Sequence, residues 1–345
     1  MTWSFARAAI AALALVLVSL SPPPALAENY PTKPITIVVP LGAGTGMDIV
    51  VRLYADKLAQ VLGKAVVVEN KPGAATMLAA TQVANAQPDG HTLVVLTSSA
   101  LAINQHLYKQ INYSPENDFT PICLYVKSPL ILAVTPSMPI KSVPEFIAYA
   151  KQASPPLNYA SVGAGGFQHI SMEFAKRRFG FEATHVPYRT TGQSVSDMIA
   201  GHVATGFVEA GASIPAIKEG KLRALAVSST TPLPLLPEVP PFSQVSGATD
   251  FESVSWHVLL APAKTPKEIV DRLHAEMNKI MSDPDVKAKT ANIGLIPIDS
   301  PSISGMNDYI KAERVKWGTL VRQLGLERGR AREPNPSLAG RHIWF

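Results

Sequence analysis

The stretch Ile35-Thr-Ile-Val-Val-Pro-Leu-Gly-Ala-Gly-Thr-Gly-Met-Asp48 constrains this chain more than any other. A β-branched run leads into Gly42, Gly44 and Gly46, and a helical pattern follows. That order predicts a buried strand, a glycine turn and a helix opening. The first turn of a helix leaves backbone N–H groups without intrahelical acceptors, beside the positive end of the helix dipole. Such a turn can hold an anion, phosphate or carboxylate alike.

The design occurs twice. The short strand Asn158–Ala160 enters Ser161-Val-Gly-Ala-Gly-Gly-Phe-Gln-His169, and a helix over Ile170–Arg178 follows. Two such turns facing each other across a cleft would grip an extended anion at both ends, with closure by hinge motion.

The rest of the chain alternates short β-branched runs with helical patterns, which predicts an α/β fold. Strands are expected at Ile35–Val39, Ala65–Glu69, Thr92–Thr97, Ile131–Thr135, Asn158–Ser161, Thr184–Pro187, Thr205–Val208, Leu222–Ser228 and Val254–Pro262. A helix over Asp48–Leu62 would bury Ile49, Leu53, Leu58, Val61 and Leu62; one over Lys267–Ser282 would bury Ile269, Leu273, Met277 and Ile280. Ser142-Val-Pro-Glu145 reads as a capping box, and Thr265-Pro266-Lys-Glu268 as a second with proline at the first helical position. Thr231–Pro241, with five prolines, reads as a stiff return crossing between two domains.

Other uses of the first turn fit less well. A dinucleotide fingerprint, which Glu69 at the end of the next strand would suit, needs glycine where Met47 stands. Asp48 would also repel a pyrophosphate. A phosphate-binding P-loop needs Lys-Ser/Thr after the glycines, which this chain lacks. There is no Gly-x-Ser-x-Gly elbow, no His-Glu-x-x-His and no cysteine pair, so nothing calls for a metal or cofactor. His169 reads either as a donor near the ligand or as a helix-start residue bonded to its own loop.

Arg7, the apolar run Ala8–Leu20 and Ala25-Leu-Ala27 describe a signal peptide over residues 1–27, too short to span a bilayer. The expected home is therefore the periplasm. The single Cys123, in an apolar run, reads as a buried small hydrophobe. A net charge of +5 with no basic stripe interleaved with aromatics argues against nucleic acid. The arginine-rich end of the chain, 326–345, reads as a flexible extension.

Several of these segments resemble the Bug-type, or TctC-like, substrate-binding proteins of tripartite tricarboxylate transporters. The resemblance rests on Pro40–Asp48 with Arg52, Val68–Ala74, Gln87–Leu93, Asp118–Pro121, Ser161–His169, His185–Tyr188, Gly220–Val227, Pro237–Pro240, Trp256, Ala261–Pro266 and Glu313-x-x-x-Trp317. It implies a type II periplasmic binding protein fold, with two α/β domains on a two-strand hinge and a carboxylate held between them. The domains would be 28–127 with 252–325, and 128–251. The resemblance also implies a monomeric receptor, not an enzyme, that takes no cofactor and delivers a small organic acid to membrane transporter subunits. Carried over by position, one carboxylate would meet Gly44, Thr45 and Gly46, and the other Ser161, Gly163 and Gly165. Thr97, Ser98 and Ser99 would line the floor, and Asp48, Thr76, His169, Tyr188 and Glu209 complete the candidate site. Thr76 stands where the family often has glycine, and Val208-Glu209 where it often has an Asp. Asp48 reads as a cap on its own turn or as a ligand contact. The same residues leave open an exported enzyme with His169 and Asp48 as acid–base pair, or a receptor feeding a signalling partner.

Overall fold

The computed structural model of the chain describes residues 30–73, 76–163, 165–249 and 251–327. Within them the strands are β1 Ile35–Val39, β2 Val66–Asn70, β3 Thr92–Thr97, β4 Phe119–Val134, β5 Leu157–Ser161, β6 Ala183–Pro187, β7 Thr205–Glu209, β8 Arg223–Val227, β9 Val254–Pro262 and β10 Ile296–Pro297. The helices are α1 Gly46–Leu62, α2 Met77–Ala84, α3 Asn104–Leu107, α4 Val143–Gln152, α5 Phe167–Phe179, α6 Thr191–Ile199, α7 Ala210–Lys218, α8 Phe242–Ser246, α9 Lys267–Ser282, α10 Pro284–Ala291 and α11 Ile303–Leu324. A π-helical turn, Ser99–Ile103, leads into α3. The expected signal peptide lies outside the described residues, as does the end of the chain from residue 328.

The strands form one mixed sheet in the order β2-β1-β3-β9-β4-β7-β5-β6, with β8 and β10 also paired to β4. Its two parallel portions, β2-β1-β3 and β7-β5-β6, each carry one glycine turn at the carboxyl end of a strand. The long strand β4 joins them. Phe119–Pro129 pair antiparallel with β9, whereas Leu130–Val134 pair with β7. Only its second half was expected as strand, because Pro121 and Pro129 interrupt the apolar run. The structure accommodates Pro121 at a register shift in the β4–β9 ladder, where a missing N–H costs least.

The return to the first half runs through Phe251–Val254, not through the proline-rich stretch. Ser253 N–H donates to Ser228 O, and Ser228 Oγ donates to Ser253 O, tying this crossing to the end of β8. Thr231–Pro241 instead packs within the second half: Leu233, Leu236 and Val239 are buried there, and Val227 bridges to Pro241. The prolines fall in and around two successive turns, closed by Leu236 N–H to Leu233 O (3.0 Å) and Val239 N–H to Leu236 O (3.1 Å).

Helix α1 is capped at Thr45, whose Oγ1 accepts Asp48 N–H, and ends at Gly63 in the left-handed conformation (φ 67°). It buries Met47, Val51, Tyr54, Leu58 and Leu62, a stripe rotated from the expected one. Ile49 and Val61 are exposed. Both stripes have helical spacing, and the sheet selects the one carrying the larger Met47 and Tyr54. Helix α9 buries the expected Ile269, Leu273, Met277 and Ile280. Ser142 caps α4, and Glu145 reaches back to Lys141 N–H at 2.7 Å. The second expected box does not form: Pro266 itself occupies the cap position, and Thr265 Oγ1 is buried without a partner among the described residues.

The Glu313-x-x-x-Trp317 pattern has a structural explanation. Glu313 Oε2 accepts both Trp256 Nε1–H (2.9 Å) and Trp317 Nε1–H (2.8 Å), clamping α11 to β9. Cys123 is buried as expected, and burial pushes its thiol pKa up.

Candidate binding cleft

The first turn is held by Asp48. Its Oδ2 accepts Gly44 N–H (2.9 Å) and Arg52 Nε–H (3.1 Å), while Oδ1 accepts Asn70 Nδ2–H (2.8 Å) and faces Arg52 Nη2 at 3.0 Å. Burial opposes its ionised form, yet the bonds from Arg52, Gly44 and Asn70 outweigh burial and keep the carboxyl below its ordinary range. Asn70 also donates to Leu41 O at 3.0 Å, so the end of β2 pins both sides of the turn. Asp48 therefore caps its own turn, with both oxygens engaged. Thr45 Oγ1 donates to Gly42 O at 2.9 Å and is likewise committed. Gly44 takes φ 79°, where a side chain is strained, and its N–H is spent on Asp48. The N–H groups of Gly46 and Met47, the first two of α1, have no acceptor among the described residues. Sequence reasoning missed Met47 and Asn70. Position N2 of a capped helix could have indicated the former, but the latter depends on strand pairing.

The second turn is braced from below by an aromatic stack. Ser161 Oγ donates its one proton to Gly163 O (3.0 Å), so His185 Nε2–H is the donor in the 2.6 Å contact with Ser161 Oγ. His169 Nδ1 accepts Gly165 N–H at 3.2 Å, which realises the helix-start role of that residue and leaves the proton on Nε2. The His169 and His185 rings lie 4.3 Å apart, and Tyr159 stacks on His185 at 5.1 Å. Tyr159 OH donates to Glu173, which also pairs with Lys176. Burial pushes the His185 pKa down, opposed by Glu173 and reinforced by Lys176. Gln168 Oε1 accepts Val162 N–H at 2.7 Å. The N–H groups of Gly163, Phe167 and Gln168 have no acceptor among the described residues. Of the expected donors Ser161, Gly163 and Gly165, only Gly163 keeps a free N–H. The start of α5 supplies two that sequence reasoning did not name. Tyr188 N–H donates to Ser161 O, and its hydroxyl is spent on Asp197 at 2.8 Å.

Close contacts join each turn to the other half of the sheet. A Cβ at Gly46 would stand 3.3 Å from Glu209 Oε1, and one at Gly211 would meet Ile293 O at 2.6 Å. Across the way, a Cβ at Gly165 would meet Leu107 Cδ1 at 2.8 Å. At Gly44 and Gly163 nothing lies within 4 Å of that position, so both glycines face open space. The floor residues divide. Ser98 is enclosed, its hydroxyl shared with Ser255 at 2.9 Å. Thr97 is buried opposite His257, with Oγ1 unpartnered among the described residues, and Ser99 is half-buried at the start of the π turn. Thr76 is the only non-glycine residue at positive φ (74°) among those described, a strained position for a β-branched side chain. Two cavities of about 350 and 320 Å³ lie elsewhere, one beside Arg223 and Glu238, the other beside Arg314 and Asn307.

The profile of the family described as "Tripartite tricarboxylate transporter family receptor", TctC, matches residues 50–326. The chain belongs to this family. A curated relative from Pseudomonas sp. (strain P51), named for the tcbD-tcbE intergenic region, is 31% identical over 91% of this chain and 93% of its own length. The solved structure of R. palustris Rpa4515 with adipate is 31% identical, covers 86% of this chain and 98% of that one, and superposes with a TM-score of 0.80. MatC from Rhodopseudomonas palustris, solved with bound malate, is 30% identical over 85% of this chain and 100% of that one, with a TM-score of 0.77. The receptor therefore has the mixed α/β fold of periplasmic solute-binding proteins, and its family is one of receptors. No helix among its described residues is long and apolar enough to cross a membrane.

Proposed function

We propose that this receptor captures a small carboxylate between the Gly42–Asp48 and Ser161–His169 turns and delivers it to tripartite membrane transporter subunits. One observation supports the reading: the starts of α1 and α5 each lie against the other half of the sheet and each keep backbone N–H groups with no acceptor among the described residues. Free amides at helix starts suit carboxylate oxygens, and the dipoles add to the attraction. One carboxylate would meet Gly46 and Met47, the other Gly163, Phe167 and Gln168. Ser161, Gly165, His169 and Tyr188 then act by holding the second turn in shape.

Adipate and malate in the two solved relatives support a dicarboxylate-sized ligand. Domains of 28–127 with 252–325, and 128–251, would hinge where β4 leaves β9 and where Phe251–Val254 returns. Signal peptide cleavage after Ala27 would release a periplasmic monomer. A thermal-shift screen of the mature chain against organic acids tests the reading. Binding raises the unfolding temperature with ligand concentration, as RT ln(1 + [L]/Kd) requires. Absence of any shift across di- and tricarboxylates at millimolar concentration would count against it.

A further inference from the structure

Two carboxyl groups stand at the start of α1, those of Asp48 and Glu209. Asp48 is matched by Arg52 and Asn70, but the Glu209 carboxylate makes no hydrogen bond or ion pair among the described residues. Glu209 closes β7, one strand from the second glycine turn, and its Oε1 faces Gly46 at the start of α1. Its position is set by close backbone packing. Gly211, two residues on, fits against Ile293, and a Cβ at Gly294 would meet Gly211 N at 2.9 Å, so this corner has no room to swing the side chain clear by backbone movement. Burial alone raises the carboxyl above its ordinary range. The Glu209 carboxyl thus stands beside the amides that would take the ligand's carboxylate, and a cation placed next to it is what would favour its ionised form.

Two negative groups side by side in a partly desolvated cleft repel, and a plain dicarboxylate brings only more negative charge. A ligand with an ammonium group next to its carboxylate matches the arrangement: the carboxylate oxygens take the Gly46 and Met47 amides while the ammonium takes Glu209. We propose that Glu209 is a specificity residue that reads a cationic donor, so that the ligand is an amino-substituted carboxylate. This rests on the carboxylate-receptor reading and narrows it.

The test is titration calorimetry of the mature chain with skeleton-matched acids that differ in one substituent: succinate, malate and aspartate, then glutarate and glutamate, then adipate and 2-aminoadipate. Within the series of the best-fitting length, the amino acid should bind about tenfold to a hundredfold more tightly than the plain acid, as expected for a charge-assisted hydrogen bond. Glu209→Gln should bring that ratio close to one while leaving the melting temperature and circular dichroism spectrum unchanged. A plain acid binding as tightly as its amino partner, with the ratio unmoved in Glu209→Gln, overturns the proposal and leaves the receptor reading standing. Preference for malate over both of its partners also overturns it, because the group read would then be a hydroxyl. Failure of every acid to bind either protein overturns the receptor reading, and the proposal with it.

Discussion

His257 makes the stability of this protein depend on pH in a calculable way. It lies on β9 between Thr97 and Val126, 3% exposed, with Nδ1 unpartnered among the described residues and Tyr125 edge-on at 5.8 Å. Charging it there would leave a desolvated cation, so burial lowers its pKa from 6.5 to about 3. Above pH 6.5 both folded and unfolded chains hold a neutral imidazole, and His257 has no effect on the equilibrium. Below that, the unfolded chain binds a proton the folded chain refuses, so stability falls as pH drops until the folded pKa is reached. The slope is about 1.4 kcal/mol per pH unit, so the loss is roughly 3 kcal/mol at pH 4.5. Against a typical stability of about 5–15 kcal/mol, that is readily measured. His257→Phe removes the titration while keeping an aromatic ring at the site. Urea unfolding of both proteins at pH 7.5, 5.5 and 4.5 isolates the residue, because other titrating groups cancel in the difference. The variant should gain on the parent by about 3 kcal/mol between the first and last pH, whatever constant offset the new ring introduces. Parallel profiles would refute the burial argument.

Other expected outcomes are as direct. Glu313→Ala would strand the buried indole N–H groups of Trp256 and Trp317, costing about 2–4 kcal/mol in urea unfolding. Gly163 sits at φ 85°, facing open space, so Gly163→Val should cost about 1–2 kcal/mol of stability yet abolish ligand-induced thermal shift by covering the free amides. Removing residues 328–345 should leave affinity unchanged by calorimetry, because the hydrogen bonds described at the two turns come from residues 41–188.

Both turns and nearly all the short strands were legible because each depends on a local pattern: a short, largely apolar run bounded by turn or helix-start residues. What was not legible depends on partners far along the chain. Ile49 and Val61 share helical spacing with the true buried face of α1, and only contact with the sheet shows which stripe goes inward. Only the second half of β4 was legible as strand, because Pro121 and Pro129 interrupt the apolar run; the ladder shift that absorbs Pro121 depends on pairing with β9. Within the site, the location of the amides was readable but not their availability. Gly44 and Gly165 looked like donors, yet Asp48 and His169 take their N–H groups, while Met47, Phe167 and Gln168 are left free. Asn70 pins the first turn from the neighbouring parallel strand, and His185 braces the second in the same way. The spacing of either residue along the chain gives no sign of this.

The central claim is that carboxylates are held by the free amides of two helix starts. A crystal structure of the mature chain with the tightest-binding acid from the thermal-shift screen tests it most directly. One carboxylate should lie within hydrogen-bond distance of the Gly46 and Met47 N–H groups, and the far end of the ligand near those of Gly163, Phe167 and Gln168. An acid found instead in the cavity beside Arg223 and Glu238, with both turns unoccupied, would contradict the account.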